Sequence, residues 1–315
     1  MNNTQTERDQ KLKELLGEYW FVTFERTIAF LEKEYKSTIS EDALLSKSME
    51  TAKQIQQLEL SDMVLVEMYQ KLDDYLNENK KKKRIPAHLL SMLIGLHLDH
   101  FEGIEANLDF LLKTDISDET LSQCIKLLFH VIVLHYSNED ELEANFMELC
   151  EDMPSDFQLA PVLWHLYNED VNYETLLTLA SLADAKKPLK HAILGFKGFI
   201  YYEVDQPLEA LYTYIVILHL IREHKKGAEH LGITYFLIAQ CFYEIKNVPM
   251  TIEYCSKGIQ EAEKREQPEN LCMMYYLRAE ALLEQEEKEK AKADLDSLLR
   301  IDPENEDGKE LMKEI

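Results

Sequence analysis

Histidines and cysteines are the residues of this sequence whose chemistry could support a metal site or a nucleophile. His97 and His100 are three residues apart in "HLDH", so one helix would place both on the same face, and His130 and His135 follow in the next apolar segment. No third ligand occurs at a matching phase, and the spacing is not that of the zinc proteases. We therefore expect core or boundary histidines and no bound metal.

The cysteines and the remaining motifs offer no catalytic arrangement. The five cysteines include no CxxC pair, and their odd number argues against a disulfide framework. The sequence contains no glycine-rich phosphate loop, no GxSxG element and no cysteine–histidine pair in a catalytic context. Cys241 and Cys255 are expected to be small core residues. We predict a protein that is not an enzyme and needs no cofactor.

Composition indicates a folded, all-α chain. Of 315 residues, 46% are hydrophobic and 30% are charged, while glycine and proline number only 9 and 8. Tight turns need these two residues, so their scarcity disfavours a fold rich in strands. Leucine, glutamate, lysine and alanine, which favour helices, are abundant.

The charge of the chain limits its partners. The formal net charge is -25, which repels a duplex nucleic acid, so no direct nucleic-acid binding is expected. The one basic cluster, residues 80–84, is predicted to be an exposed loop between helices. No apolar run reaches the length needed to span a membrane, and the N-terminus lacks an apolar signal core. Together with the free cysteines, these features predict a cytoplasmic protein that does not bind membranes.

Apolar periodicity divides the chain into helical segments that must position any functional residues. We expect an N-terminal helical region at 1–85, divergent helical hairpins at 86–186 and regular repeats at 187–315. The individual helices are expected near residues 8–36, 41–58, 61–79, 87–113, 118–137, 139–151 and 157–183, followed by a regular series from 189 onward.

A repeat of 40–41 residues is the most informative pattern in the sequence. In each of three copies, a small residue is followed three positions later by an apolar or aromatic residue and twelve positions later by a second small or short residue. Small side chains at a helix crossing allow the two helices of a hairpin to approach closely, so the pattern predicts stacked helical hairpins. The three positions are Gly198, Tyr201 and Ala210 in the first copy, Ala239, Phe242 and Thr251 in the second, and Ala279, Leu282 and Ala291 in the third.

Over residues 189–305 the sequence resembles the tetratricopeptide repeat (TPR) family. Besides the small residues, the third copy has the closing Pro303 of the family, and the second has Gly258 at a position where a small residue is preferred. The resemblance implies a right-handed superhelical stack of hairpins. The usual TPR unit has about 34 residues, so the longer step here implies a longer second helix or loop.

Elongated repeats of this kind also resemble those of the bacterial quorum-sensing peptide receptors, the Rap, NprR and PlcR group. The segment 232–264 is similar in rhythm to a Rap-type repeat. DNA-binding members of the group begin with a helix-turn-helix domain, and the N-terminal segment here does not resemble one. Rap-type members begin with a small helical bundle, which residues 1–85 could form.

The TPR resemblance implies which residues face the concave groove, because three positions of each first helix line it. The aromatic, amide and acidic residues found there suit an extended peptide. The alternative is that these rings pack against a neighbouring helix. The nine groove positions are Gly195, Phe199, Tyr202, Phe236, Gln240, Tyr243, Tyr276, Glu280 and Leu283, of which we select Tyr202, Phe236, Gln240, Tyr243, Tyr276 and Glu280 as the candidate peptide-binding site.

The same positions exclude one ligand class and suggest another. TPR proteins that bind chaperone C-termini grip a carboxylate with lysine, asparagine and arginine, and none of these occupies the groove positions here. Because Glu280 occupies a groove position and Glu244 and Glu284 each directly follow one, we expect a neutral or basic ligand, either a peptide or a protein segment.

Three functional hypotheses follow. The first is a cytoplasmic regulator that binds a peptide in the groove, in the manner of the Rap-type receptors. The second is an effector that alters a phosphorelay enzyme through residues 1–85, for which Gln54, Gln56 and Gln57 are candidate active glutamines. The third is a passive assembly scaffold, in which the acidic convex surface matters. The sequence does not indicate an oligomeric state.

Overall fold

A computed structural model describes residues 18–55, 62–78, 84–98 and 100–315 of the chain. Within these ranges the backbone forms α-helices and one short 3-10 turn, without strands. The all-α class predicted from the composition is therefore confirmed. No helix of the described ranges is both long enough and apolar enough to cross a membrane.

The chain divides into two compact units, which meet in sequence between Glu169 and Asp170. The finer division into 1–85, 86–186 and 187–315 stays a prediction. The first unit contains helices α1 (Glu18–Glu34), α2 (Lys36–Ser40), α3 (Ala43–Ile55), α4 (Asp62–Glu78), α5 (Arg84–His97), α6 (Phe101–Leu112), α7 (Glu119–Tyr136), α8 (Glu139–Asp152) and α9 (Ala160–Asn168).

The second unit extends from Asp170 to Ile315. Its helices are α10 (Tyr173–Lys186), α11 (His191–Glu203), α12 (Pro207–His224), α13 (Leu231–Glu244), α14 (Val248–Lys264), α15 (Pro268–Glu284), α16 (Lys288–Ile301) and α17 (Glu306–Lys313), with the 3-10 turn Ala228–His230 before α13.

In the first unit, consecutive helices pack as pairs around a leucine-rich core. Helix α5 contacts α6, α7 contacts α8, and α1 packs on α7. Gly95 of α5 permits a close crossing, because a Cβ atom there would lie 2.2 Å from Cγ2 of Ile104 on α6. Leu31, Leu45 and Leu89 are fully buried.

The second unit is a stack of helical hairpins, as the repeat predicts. Each helix from α10 to α17 contacts the next, and α13 also contacts α15, the first helix of the following hairpin. The hairpins are α11/α12, α13/α14 and α15/α16. A Cβ atom on Gly198 would lie 2.7 Å from Cε1 of Tyr214, so glycine is needed at that crossing. The small and short residues at both crossing positions are buried in all three copies, namely Gly198, Ala210, Ala239, Thr251, Ala279 and Ala291.

The turn inside each hairpin repeats with the same period. One residue per turn is in the left-handed region, with φ of 57° at Asp205, 59° at Lys246 and 61° at Glu286. The N–H of the residue after it donates a hydrogen bond to the carbonyl five residues earlier, which is the Schellman motif at the end of a helix. The three bonds are Gln206 N to Tyr201 O (2.9 Å), Asn247 N to Phe242 O (2.8 Å) and Glu287 N to Leu282 O (2.9 Å).

A largely buried ion pair joins three helices of the second unit. The Arg278 guanidinium on α15 donates Nε and Nη2 to the two carboxylate oxygens of Asp294 on α16, both at 2.7 Å. Its Nη1 donates to Ser256 Oγ on α14 at 2.9 Å. Because the guanidinium binds Asp294 through two nitrogens and Ser256 through the third, it fixes the relative position of α14, α15 and α16.

The histidine expectations are partly corrected. The prediction that His97 and His100 share a helix face is wrong, because α5 ends at His97 and His100 precedes α6 with φ of −94° and ψ of 61°. The His100 N–H bonds to the Gly95 carbonyl at 2.9 Å, which turns the chain between the two helices. The expectation of core histidines is confirmed for His130 and His135, each 7% exposed.

The crossing in the second hairpin generates a first prediction. Ala239 has no exposed surface, so Ala239→Leu should overpack the contact and lower the free energy of unfolding by about 1–3 kcal/mol. Urea denaturation followed by circular dichroism measures the change. The exposed Ala293→Leu on α16 is the matched control and should change little; equal stability of the two variants would contradict the crossing role.

The hairpin turns generate a second prediction. Glu286 is exposed and holds a left-handed φ that glycine adopts without strain, so Glu286→Gly should raise the free energy of unfolding by about 0.5–1 kcal/mol. The same denaturation experiment applies. Lys292→Gly, in the interior of α16, should instead lower it by about 1 kcal/mol. A loss of stability in both variants would show that the turn gains nothing from glycine.

Candidate functional site

One cavity of about 350 Å³ in the second unit is lined by all six residues of the candidate peptide-binding site. We refer to it as the inner cavity. The convergence is informative because the six residues come from α11, α13 and α15, and thus from three different repeats. The lining consists of Tyr202, Phe236, Gln240, Tyr243, Glu244, Cys272, Met273, Tyr276, Leu277, Glu280, Leu298, Asn305 and Asp307.

Helical phase explains why these side chains meet. Phe236, Gln240 and Tyr243 are separated by four and three residues, so they lie along one face of α13. Tyr276 and Glu280 are four residues apart and share one face of α15. Helix α13 contacts α15 directly, so the two faces border the same space.

The other groove positions do not line the inner cavity. Gly195 faces open space, since no atom lies within 4 Å of the Cβ position it lacks. Leu283 packs against the cluster formed by Ala279, Leu282 and neighbouring core residues. Phe199 is absent from the lining. The groove positions of the first copy thus contribute only Tyr202.

The aromatic residues play two different parts. Phe236 is only 9% exposed and belongs to a core cluster with Ala239 and Cys255, so it forms part of the floor. Tyr243 and Tyr276 are half-buried, pack against the same cluster and still border the cavity. Packing against neighbouring helices and lining the groove are therefore compatible for these rings.

A tyrosine–glutamate contact recurs between successive inner helices. The Tyr202 hydroxyl on α11 donates to Oε1 of Glu244 on α13 at 3.2 Å. The Tyr243 hydroxyl on α13 faces Glu284 on α15, and this carboxylate helps to raise the pKa of the tyrosine. The two tyrosines are 41 residues apart and the two glutamates 40, so the contact follows the repeat. We call these two contacts the tyrosine–glutamate ladder.

Burial and the carboxylates determine the protonation of the cavity. Burial, with a further contribution from nearby carboxylates, raises the pKa of Tyr202, Tyr243 and Tyr276 to about 12. Their hydroxyls are therefore protonated at neutral pH and can donate hydrogen bonds. Burial also raises the pKa of Glu280, helped by Glu284 and Asp307 and opposed by a hydrogen bond from Tyr276. The cavity is thus an aromatic space with a negative potential.

The lining offers little chemistry beyond binding. Cys272 is its one thiol, and burial raises the pKa of that thiol, which favours the poorly nucleophilic neutral form. Cys241 and Cys255 are fully buried free thiols, as predicted for core residues. In the described part of the chain, no group of three or more histidine, cysteine, aspartate or glutamate residues could hold a metal ion.

Sequence reasoning missed the residues that close one end of the cavity. Asn305 and Asp307 come from the start of α17, beyond the last repeat. Asn305 caps that helix by accepting a hydrogen bond from the Gly308 N–H at 2.9 Å. The signal was present, because a capping asparagine precedes the apolar pair Leu311 and Met312, which pack on the third hairpin.

Most of the N-terminal candidates fall outside the described residues. Gln56, Gln57 and the lysine run 80–83 lie there, as do residues 8–17 of the first predicted helix. Gln54 lies on α3 and is half-buried. Arg84, the last residue of the basic cluster, begins α5.

Comparison with known proteins identifies the fold. No protein-family model matches the sequence, and no curated protein matches it significantly. The structure is similar to the C-terminal part of a TPR repeat-containing protein from Cytophaga hutchinsonii, with a TM-score of 0.56 and 12% identity over 79% of this chain and 94% of that chain. The chain therefore has the TPR fold, which confirms the predicted stack of TPR-like hairpins.

Two further solved structures are less similar to this chain. One is a chain of the APC/C hetero-tetramer Cut9–Hcn1, with a TM-score of 0.46 and 12% identity over 93% of this chain and 62% of that chain. The other is the TPR domain of P58(IPK), with a TM-score of 0.26 and 13% identity over 86% of this chain and 97% of that domain. The fold assignment rests on the Cytophaga hutchinsonii structure.

The half-buried carboxylate of Glu280 generates a third prediction. Because the folded state raises the pKa of Glu280, it disfavours the charged form, and the stability contribution of this residue falls as pH rises above the unfolded pKa. Glu280→Gln should therefore raise the melting temperature at pH 7. The difference from the wild type should shrink as the pH is lowered and Glu280 becomes protonated.

The control for this variant is Glu286→Gln, which removes the same charge from an exposed turn. Thermal unfolding at several pH values measures both. A lower melting temperature for Glu280→Gln at pH 7 would show that the ionised carboxylate stabilises the fold, contrary to the expected sign.

Proposed function

We propose that the second unit binds an extended peptide or protein segment in the inner cavity and that the protein acts by binding rather than by catalysis. One observation carries the proposal. Residues selected as groove positions in three repeats border a single cavity, together with the ends of α16 and α17. A cavity of about 350 Å³ is at the lower end of the range for ligand sites, so it suits a few side chains of a longer segment.

The lining chemistry supports a peptide as the ligand. Tyrosine rings supply rigid contact area at little conformational cost, and their protonated hydroxyls can donate hydrogen bonds. The Gln240 amide both donates and accepts, which matches the alternating groups of a peptide backbone. Met273 is exposed at the rim and can adapt to varied side chains.

The narrower form of the proposal is a cytoplasmic regulator that responds to a signalling peptide. Its support is the 40–41 residue repeat step and the resemblance of segment 232–264 to Rap-type repeats. A passive scaffold differs in one testable respect, because substitutions in the inner cavity would then leave partner binding unchanged.

The proposal generates a fourth prediction. Seven-residue random peptides, displayed between constant neutral flanks, are selected on the full chain, and the enriched peptides are titrated by isothermal calorimetry. Tyr243→Ala and Gln240→Ala should each weaken binding about tenfold or more, because each removes contacts at the centre of the cavity.

Two controls separate this effect from misfolding. Tyr212→Ala removes a tyrosine that is 72% exposed on α12 and lies outside the lining, and Gln285→Ala removes an exposed amide outside it. Both should retain wild-type affinity, and circular dichroism should show intact helices in all four variants. Failure to enrich any peptide, or unchanged affinity in both cavity variants, would refute the assignment of the site.

A further inference from the structure

The carboxylates of the inner cavity lack a cationic partner. Of its thirteen lining residues, three are carboxylates, Glu244, Glu280 and Asp307, and none is lysine or arginine. Within the described ranges, no lysine or arginine forms an ion pair with any of these three. The cavity therefore carries negative charge that the fold leaves uncompensated.

Some acidic side chains elsewhere in the second unit have cationic partners. Asp294 receives two hydrogen bonds from Arg278, Glu253 pairs with Lys257, and Glu261 lies 3.5 Å from Arg265. Glu280 is the half-buried one of the three carboxylates, since Glu244 and Asp307 are exposed. A carboxylate with little access to water needs a positive charge more than an exposed one, so the missing partner matters most at Glu280.

We infer that the occupant of the inner cavity presents a lysine or arginine side chain to Glu280 and its neighbours. The inference rests on the proposed peptide-binding function and narrows it to basic segments. Charge complementarity between the cavity and its ligand is the basis of this choice. An acidic segment would add repulsion to the desolvation of both sides.

The aromatic lining suits the same ligand. Tyrosine faces attract cations, and one ring of the lining already does so, since the Lys246 ammonium lies 5.1 Å from the centroid of Tyr243. Lys246 is exposed, lies outside the lining and, within the described residues, forms no ion pair with the three carboxylates. A basic side chain that enters among Tyr243, Tyr276 and Glu280 would find ring faces and a carboxylate at the same depth.

The ladder leaves room for this contact. Tyr202 occupies Oε1 of Glu244, and each carboxylate can accept several hydrogen bonds through its two oxygens. A ligand cation would therefore add to the tyrosine bonds and not replace them. A purely structural role for the carboxylates predicts instead that their charge has no influence on which peptides bind.

The test uses the random peptide selection on the full chain described above. Because the constant flanks are neutral, positive charge can come only from side chains within the seven random positions. We expect lysine or arginine to be enriched. Replacement of that residue by glutamine in the peptide should weaken binding about tenfold or more. Glu280→Gln should weaken the original peptide to a similar extent and leave the glutamine peptide unchanged, and Glu286→Gln should affect neither.

The salt dependence of binding and the amino-acid composition of the selected peptides distinguish this inference from its alternatives. Affinity of the basic peptide should fall as ionic strength rises in the wild type, and less so in Glu280→Gln. Peptides that lose affinity with Tyr243→Ala but contain no basic residue would overturn this inference and leave the proposed function intact. Basic peptides bound equally by wild type and Glu280→Gln would also overturn it. Failure to enrich any peptide would overturn the proposed function itself.

Discussion

The close approach of the two helices in each hairpin is the constraint on which the second unit depends. Gly198, Ala239 and Ala279 have side chains small enough to let the second helix pack directly against the first, and the short residues twelve positions later do the same from the other side. With the crossing fixed, the hairpins stack with a constant step. Side chains at equal phase in successive first helices then border one space, which is how residues 40 positions apart come to line one cavity.

Much of this arrangement could be predicted from sequence because it follows from phase. The crossing residues repeat at 41 and 40 positions, and the six groove residues were selected by counting from them. The burial of Phe236 could not be separated from groove lining in the same way, since both place an aromatic ring at that phase. The helical phase of a residue also does not indicate which charged side chains lie near it. The lack of an ion pair between Glu280 and a described lysine or arginine is therefore visible only in the structure.

Two features outside the repeat could not be predicted from the periodicity. The turn between His97 and His100 interrupts an apolar pattern that continues on both sides. It is formed by a main-chain hydrogen bond from the His100 N–H to the Gly95 carbonyl, and no side-chain type in the sequence indicates that bond. Asn305 and Asp307 follow the last repeat and belong to a short helix outside the periodic pattern. Both features come from local capping rather than from periodicity.

The tyrosine–glutamate ladder has a consequence for how the stack could change its length. Each rung joins a tyrosine of one hairpin to a glutamate at a fixed position in the next, so an inserted or deleted hairpin of the same kind would restore the rung at the new junction. The third hairpin departs from this rule. Leu283 stands at the position that Tyr202 and Tyr243 occupy in the first two hairpins. It is followed by α17 rather than by another hairpin, and it packs against the apolar cluster. In the described residues, the series of tyrosines at this phase therefore ends at the third hairpin, where an apolar side chain packs on the core instead.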